Sequence, residues 1–374
     1  SGLIPILTLC TLSLLFYLFF LLRIKTGLRR VFSQDILCDE IKSITLVIPF
    51  RNEEKNLGEL LQSLNNLDTE GYEFEVILVN DHSDDDWTSS RTFRSDNLDL
   101  RFIDQKQGIT GKKKAIEIGV SEAKGELIFV TDADCLPGRS WVKSLASMFD
   151  RNTGFVAGAV KYRSGESFFE RFQALEFGGL LLAGAGLAGT GSPIICSAAS
   201  MAFRKELFYK VGGFSKNEKL ASGDDEFLMR AIHRLGYKVR FVLEKESVVE
   251  TFPSRNLSGF ADQRSRWASK SLFYEDYLLI LQLVIIFLFY LSLVVSPLLI
   301  LFFGTPFVVY LALAMLSKTV MEHSILRSGE GILFEKVTLS LIFQAELVQI
   351  PYIVYAAIAG VVGGFSWKGR DYTR

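Results

Sequence analysis

The sequence is poor in residues that staple a chain or coordinate soft metals. Its 374 residues include four cysteines, three histidines and eight prolines. Cys10, Cys38, Cys135 and Cys196 are scattered, with no C-x-x-C pair and no histidine at ligand spacing, which argues against a disulfide framework or a structural zinc. Excess charge is lacking as well. Lys and Arg total 41 against 42 Asp and Glu, a net charge of -1, so no global basic field points to a nucleic-acid partner and none is expected. There is no internal repeat and no low-complexity tract. What the chain does have is apolar surface: 49% of residues are hydrophobic and 22% charged. That balance fits a soluble domain tied to membrane segments.

Residues 3–22 form an apolar run of about 20 residues, long enough to cross a hydrocarbon core of about 30 Å. Arg23, Lys25, Arg29 and Arg30 follow it, the reverse of the order in a cleaved signal peptide. Residues 1–26 therefore read as a transmembrane anchor, and the basic cluster places the next domain in the cytoplasm. Residues 276–374 read as a C-terminal membrane domain of transmembrane or interfacial helices, with apolar stretches at 278–295, 297–316 and 337–362. Pro297 and the Gly304-Thr305-Pro306 break mark either a boundary between two spans or a kink in one. Four full crossings would put the basic tail at 367–370 opposite the soluble domain, whereas its charge favours the cytoplasmic face; a re-entrant or interfacial segment reconciles the two. Gln344, Glu346 and Gln349 are expected to face the bundle or the interface, because a carboxylate in lipid is costly; substrate contact is the sharper alternative.

From 43 to 275 the periodicity is that of an α/β domain. Strands are expected at 44–48, 75–79, 100–103 and 127–130, and helices at 53–64, 112–123 and 141–149. This alternation implies a parallel sheet with right-handed crossovers, in which ligands sit at the carboxyl ends of the strands. The acids concentrate there.

Asp81 follows one strand, where an Asx turn is the plain alternative. Asp132 and Asp134 follow another as a D-x-D pair, two oxygen ligands for Mg²⁺ or Mn²⁺ or else a polar turn before Pro137-Gly138. Asp224 and Asp225 precede a helical pattern, and Ser222 with Asp225 also suits a capping box. Gln263, Arg264, Arg266 and Trp267 form a cationic and aromatic set near the second apolar region, where snorkelling anchors are the alternative. Gly111 followed by Lys112, Lys113 and Lys114 opens a helix suited to meeting phosphate.

Taken in order, these elements resemble the membrane-bound inverting family 2 glycosyltransferases of GT-A (Rossmann-like) fold, the branch of cellulose synthase, hyaluronan synthase and ceramide glucosyltransferase. The likeness runs through 46–54, 79–81, Gly111-Lys112, Asp132-Ala133-Asp134, Gly212-Gly213-Phe214, Gly223-Asp224-Asp225 and the Q-x-x-R-W set at 263–267, about 230 residues in all. The resemblance implies that Pro49 and Glu53 lie beside the nucleotide, that Asp81 contacts its base or ribose and that Lys112 shapes the uridine pocket. It implies that Asp132 and Asp134 hold the diphosphate and its Mg²⁺ or Mn²⁺, with Asp134 the more direct ligand. Asp225 takes the position of the general base with Asp224 beside it. Arg264 and Gln263 belong to the motif in which Arg266 faces the diphosphate and Trp267 the acceptor. The implied enzyme uses a UDP-sugar donor and sits in a bacterial inner membrane.

The acceptor is argued from 167–184. Residues 167–175 have helical apolar spacing and read as an interfacial amphipathic helix, and Gly178 to Gly184 as a flexible apolar lip; an ordinary core helix with a Gly-rich loop is the alternative. With only three or four apolar segments for a polymer channel, a membrane lipid is the expected acceptor. Processive or short-polymer polysaccharide synthesis is the second reading, and a non-catalytic sugar-nucleotide-binding scaffold the third. A nucleotidyltransferase also uses paired acids but leaves 263–267 without a role.

Overall fold

The computed structural model describes residues 2–35, 41–95, 97–163, 165–215, 223–362, 365–367 and 370–372. Ser222, Cys38 and part of the basic tail at 367–370 lie outside the described residues. The chain divides into two compact units. One comprises Ser1–Lys25, Ser254–Ser328 and Lys336–Arg374, and the other Thr26–Pro253 with Gly329–Glu335.

In chain order the long N-terminal helix α1 is Leu3–Phe32, followed by β1 Ser43–Phe50, α2 Glu54–Asn65, β2 Glu73–Asn80, β3 Asp99–Asp104, α3 Lys112–Glu122 and β4 Leu127–Val130. Then come β5 Leu136–Pro137, α4 Trp141–Ala146, β6 Thr153–Gly158, β7 Val160–Tyr162, α5 Phe168–Gly189, β8 Met201–Arg204, α6 Lys205–Lys210, α7 Glu226–Arg234, β9 Lys238–Val242 and β10 Val249–Thr251. The chain continues through α8 Leu257–Ser269, α9 Tyr277–Phe303, α10 Thr305–Leu326 and α11 Leu339–Val362.

The second unit is built on a seven-stranded sheet of order β3-β2-β1-β4-β8-β6-β9. Strands β3, β2, β1 and β4 run parallel, as the alternating pattern predicts, and β6 and β9 pair in parallel. The exception is β8, antiparallel to both β4 and β6. Seven consecutive residues of β1, from Ile44 to Phe50, are buried, as expected for a strand covered on both faces. Pro49 is tolerated in this central strand because β1 pairs with β4 only as far as Val47, so the missing N–H falls where that neighbour has ended. Helix α2 buries Leu57, Leu60, Leu61 and Leu64, a stripe at helical spacing. Gly119 lets α3 lie against β1, since a Cβ there would stand 2.3 Å from Val47.

Helix α5 corrects the sequence reading. The interfacial segment and the glycine-rich lip are one continuous helix, opened by a reciprocal Ser167–Glu170 capping box and buried at Phe172, Leu175, Leu181, Leu182 and Leu187. Its glycines serve close approach rather than flexibility. A Cβ on Gly184 would stand 2.5 Å from the Ile195 carbonyl oxygen, and one on Gly27 of α1 would stand 1.7 Å from that of Gly186. Packing of this kind offsets the helix-propensity cost of about 0.5–1 kcal/mol per glycine.

Among the described residues, five helices are long and apolar enough to cross a membrane. Of the most apolar stretch of α5, 67% is buried within the protein, against 22–28% for α1, α9, α10 and α11. The latter four present the apolar surface that suits membrane association. Pro297 lies inside α9; the break between α9 and α10 falls at Gly304, whose φ of +69° is open to glycine. In the first unit α8 packs on α11, with the Phe260 and Tyr352 rings 5.2 Å apart and Gly360 leaving room for Ala268.

Candidate active site

Because β1, β2 and β4 are parallel, their carboxyl ends lie at one edge, and the segments that leave them carry the acids. Asp81 follows β2, is 6% exposed, and donates its N–H to Phe50 O at 2.8 Å, tying the ends of β1 and β2 together. Its Oδ1 accepts from the N–H of Gly111 at 2.9 Å. Gly111, at φ +107°, caps α3 and turns Lys112 toward the acids. Glu53 caps α2 at the end of β1 and accepts from Asn56 Nδ2 at 2.5 Å.

Lys112 Nζ lies 2.6 Å from Asp132 Oδ1 and 3.2 Å from Asp224 Oδ2. An ammonium at a helix N-terminus opposes the helix dipole, so the acids in front of it are what hold it there. Burial by itself disfavours the charged lysine, but Asp132 and then Asp224 outweigh it and hold the Lys112 pKa above the ordinary lysine value, and Asp225 adds to the same field. Asp224 is shifted the other way. Burial pushes its carboxyl up, and Lys112 with Lys113 holds it below the usual carboxylate range.

Asp132, Asp134 and Cys135 bring ligand atoms within 4.8 Å of one another. The two carboxylates are the hard oxygen donors that Mg²⁺ or Mn²⁺ takes, so the D-x-D pair fits such an ion. The Cys135 thiol is buried. Its pKa is raised, first by burial and then by Asp134 and Asp132, so the thiol stays neutral beside them. Strand β10 supports this segment by pairing with β5, and Thr251 Oγ1 reaches Asp134 O at 3.5 Å.

Asp225 caps α7, with Oδ1 accepting from Glu226 N at 2.7 Å and Oδ2 from Ala198 N at 3.1 Å. The turn that carries Ala198 is fixed to the end of β4 by Thr131 Oγ1, which donates to Ala199 O at 2.7 Å. The short Ser197–Ser200 turn thus couples the D-x-D strand to Asp225. No motif in the sequence announces it; the only local signal is a run of small residues ahead of a four-residue strand. Asn52, inside the 46–54 match, and His82, just past 79–81, are a second pair, to which the motifs give no role. Both are non-glycine residues at φ +55°, one past β1 and one past β2. Asn52 donates its N–H to Ser83 Oγ and accepts from Asp84 N, and His82 Nε2 lies 2.9 Å from Ile109 O, which joins both strand ends to the loop before Gly111.

The structure therefore gathers Asp81, Lys112, Asp132, Asp134, Asp224 and Asp225 at one end of the sheet, with Pro49 and Glu53 on the adjoining end of β1. Gln263, Arg264, Arg266 and Trp267 belong to α8, in the first unit. There Arg264 is 3% exposed, donates to Gln263 Oε1 at 2.5 Å, and stacks its guanidinium 4.2 Å from Trp267 and 4.6 Å from Phe260.

Residues 45–212, which hold β1 through β4 with the Lys112 helix and the D-x-D pair, match the family described as Glycosyl transferase family 2. The chain carries a family 2 glycosyltransferase domain. Among curated proteins it is 25% identical over 257 residues to the poly-beta-1,6-N-acetyl-D-glucosamine synthase of Staphylococcus aureus, covering 67% of this chain and 60% of that one. It is 27% identical over 248 residues to the probable glycosyltransferase YdaM of Bacillus subtilis, covering 61% and 55%. The chain thus spans about 60% of the length of the first curated relatives it matches. Among solved structures, the mannosyltransferase PcManGT from Pyrobaculum calidifontis, in complex with GDP-Man and Mn²⁺, has the same fold at a TM-score of 0.57 and 19% identity, over 96% of this chain and 97% of that one. The family 2 domain is accordingly of GT-A-like architecture.

Proposed function

We infer that this chain is an inverting glycosyltransferase that moves a sugar from a nucleoside-diphosphate sugar to a hydroxyl of a growing glycan at a membrane. The observation that carries this reading is the arrangement around Lys112, which brings the D-x-D acid Asp132 and the acid pair Asp224-Asp225 onto a single ammonium.

In the proposed reaction the acceptor oxygen attacks the anomeric carbon as the bond to the diphosphate breaks. Asp225, whose two carboxylate oxygens are oriented by the backbone N–H groups of Glu226 and Ala198, takes the proton of the acceptor hydroxyl. Asp224 keeps Lys112 in position. Lys112 meets negative charge growing on the departing diphosphate. Asp132 and Asp134 are the residues that would hold Mg²⁺ or Mn²⁺, and the ion would supply further positive charge beside the leaving group. Asp81, Glu53 and Pro49 border the nucleoside in this reading, and a part for the Gln263 to Trp267 set at the diphosphate and acceptor is what the family resemblance implies.

Two observations favour a glycan over a lipid acceptor. The lip that suggested a bilayer-facing acceptor is a buried stretch of α5, and the curated relatives include a polysaccharide synthase. The family resemblance points to a UDP-sugar donor, while the Pyrobaculum enzyme was solved with GDP-Man, so both nucleotides belong in the assay. The test is incubation of the purified full chain in nanodiscs with Mn²⁺ and labelled UDP-N-acetylglucosamine, UDP-glucose or GDP-mannose. A labelled polymer ladder is expected with one donor. A chloroform-soluble single-sugar product would replace the glycan with a lipid acceptor, and no transfer from any donor would remove the assignment.

A further inference from the structure

Away from the strand-end site, the first unit buries polar groups among its apolar helices. The hydroxyls of Tyr17 in α1 and Tyr290 in α9 lie 2.9 Å apart, and both reach Glu322 Oε1 of α10, at 2.5 and 3.3 Å. Glu322 Oε2 accepts from Lys318 Nζ at 2.8 Å, one turn earlier on α10. Lys318 is fully buried, with its ammonium 5.6 Å from the Tyr290 ring. This quartet is matched: one ammonium faces one carboxylate, and both tyrosine hydroxyls serve the second oxygen.

Glu346 of α11 is not matched. It is 3% exposed. Its Oε1 accepts from Thr319 Oγ1 at 2.7 Å and lies 3.5 Å from Lys318 Nζ, which already serves Glu322. Its Oε2 is shut off from solvent and has no hydrogen-bond partner among the described residues. One ammonium against two carboxylates leaves the set one positive charge short. An uncompensated carboxylate oxygen in apolar surroundings is costly, and an ionisable group between apolar helices is by default a pointer to function.

We propose that Glu346, with Thr319 beside it, binds a small monovalent cation, Na⁺ or K⁺, between α10 and α11. One added charge neutralises the set, whereas a divalent ion would overshoot it and meet the Lys318 ammonium. Carboxylate and hydroxyl oxygens are the donors such hard ions take. The enclosure of Glu346 excludes bulky organic cations.

The experiment uses the full chain in phosphatidylglycerol nanodiscs. Thermal unfolding is followed in choline chloride, NaCl and KCl at one ionic strength, together with binding of ²²Na⁺ and ⁸⁶Rb⁺. Na⁺ or K⁺ is expected to raise the Tm saturably by about 2–4 °C over choline, and the matching tracer to bind. Glu346→Gln is expected to lose both effects. Equal Tm in all three salts with no tracer bound would overturn the proposal and leave a buried water on Oε2. A Tm rise seen only when phosphatidylethanolamine is added, without tracer binding, would overturn it in favour of a lipid ammonium. Should Glu346→Gln fail to fold, tracer binding by the unaltered chain decides alone.

Discussion

Lys112 Nζ sits 3.2 Å from Asp224 Oδ2, and this single ion pair separates the two neighbouring acids. Asp224 is engaged by the lysine, whereas the oxygens of Asp225 are set by the backbone N–H groups of Glu226 and Ala198. Adjacent residues at the start of α7 are thus suited to different work.

Replacing Lys112 with Met removes the charge and leaves Asp132 and Asp224 without their shared counter-ion. A hydrogen bond to a charged group contributes about 1.5–3 kcal/mol, so the donor KM is expected to rise about 10- to 100-fold. Calorimetric binding of UDP and GDP separates this from a folding defect. An unchanged nucleotide affinity would remove Lys112 from the diphosphate site.

Asp134 lies with Asp132 and Cys135 in the group suited to a divalent ion. Nucleotide binding by the unaltered chain is expected to weaken about 10-fold or more when EDTA replaces Mn²⁺, because a divalent ion held by Asp132 and Asp134 would offset the charge of the diphosphate. Asp134→Asn should bind equally in the two buffers. A variant that still responds to Mn²⁺ would place the ion elsewhere.

Stability at acid pH has an identifiable contributor away from the site. Glu75, on β2, accepts from Thr45 Oγ1 and Lys124 N, each at 2.6 Å, and from Arg101 at 3.1 Å. Burial alone would raise its pKa, but these partners outweigh burial and hold the carboxyl below its ordinary value. A depressed folded value means the stabilisation is complete above the unfolded value of about 4.3 and is lost as pH falls through the folded one. Glu75→Gln should lower stability at neutral pH by about 1–3 kcal/mol. Its Tm should also fall less steeply than that of the unaltered chain below about pH 5. Parallel pH curves would show that Glu75 is not the group responsible.

Much of the donor side is legible in the sequence because its signals are local. β1, β2 and β4 are apolar runs ending in acids or polar turns, and a parallel sheet brings such ends together without further information. What the sequence conceals is set by tertiary packing. The antiparallel direction of β8 has no pattern of its own in four residues, yet the turn before it holds Asp225. The glycines of α5 look like a loop when helix propensity alone is weighed, whereas the close approach of Phe334 to Gly178, Ile195 to Gly184 and Gly27 to Gly189 explains them. The bonds from Lys112 to Asp132 and Asp224 span 20 and 112 positions, beyond any local motif. Glu346 is legible as a residue that should face the bundle or the interface, but its unmatched oxygen depends on Lys318 being committed to Glu322.

The most direct measurement is single-turnover transfer from the preferred labelled donor by the unaltered chain and by Asp225→Asn, with nucleotide affinity determined on the same samples. Losing a general base is expected to slow transfer about 10²- to 10⁴-fold while nucleotide binding stays within about 2-fold. Transfer by Asp225→Asn at the unaltered rate would contradict the proposed chemistry at this end of the sheet.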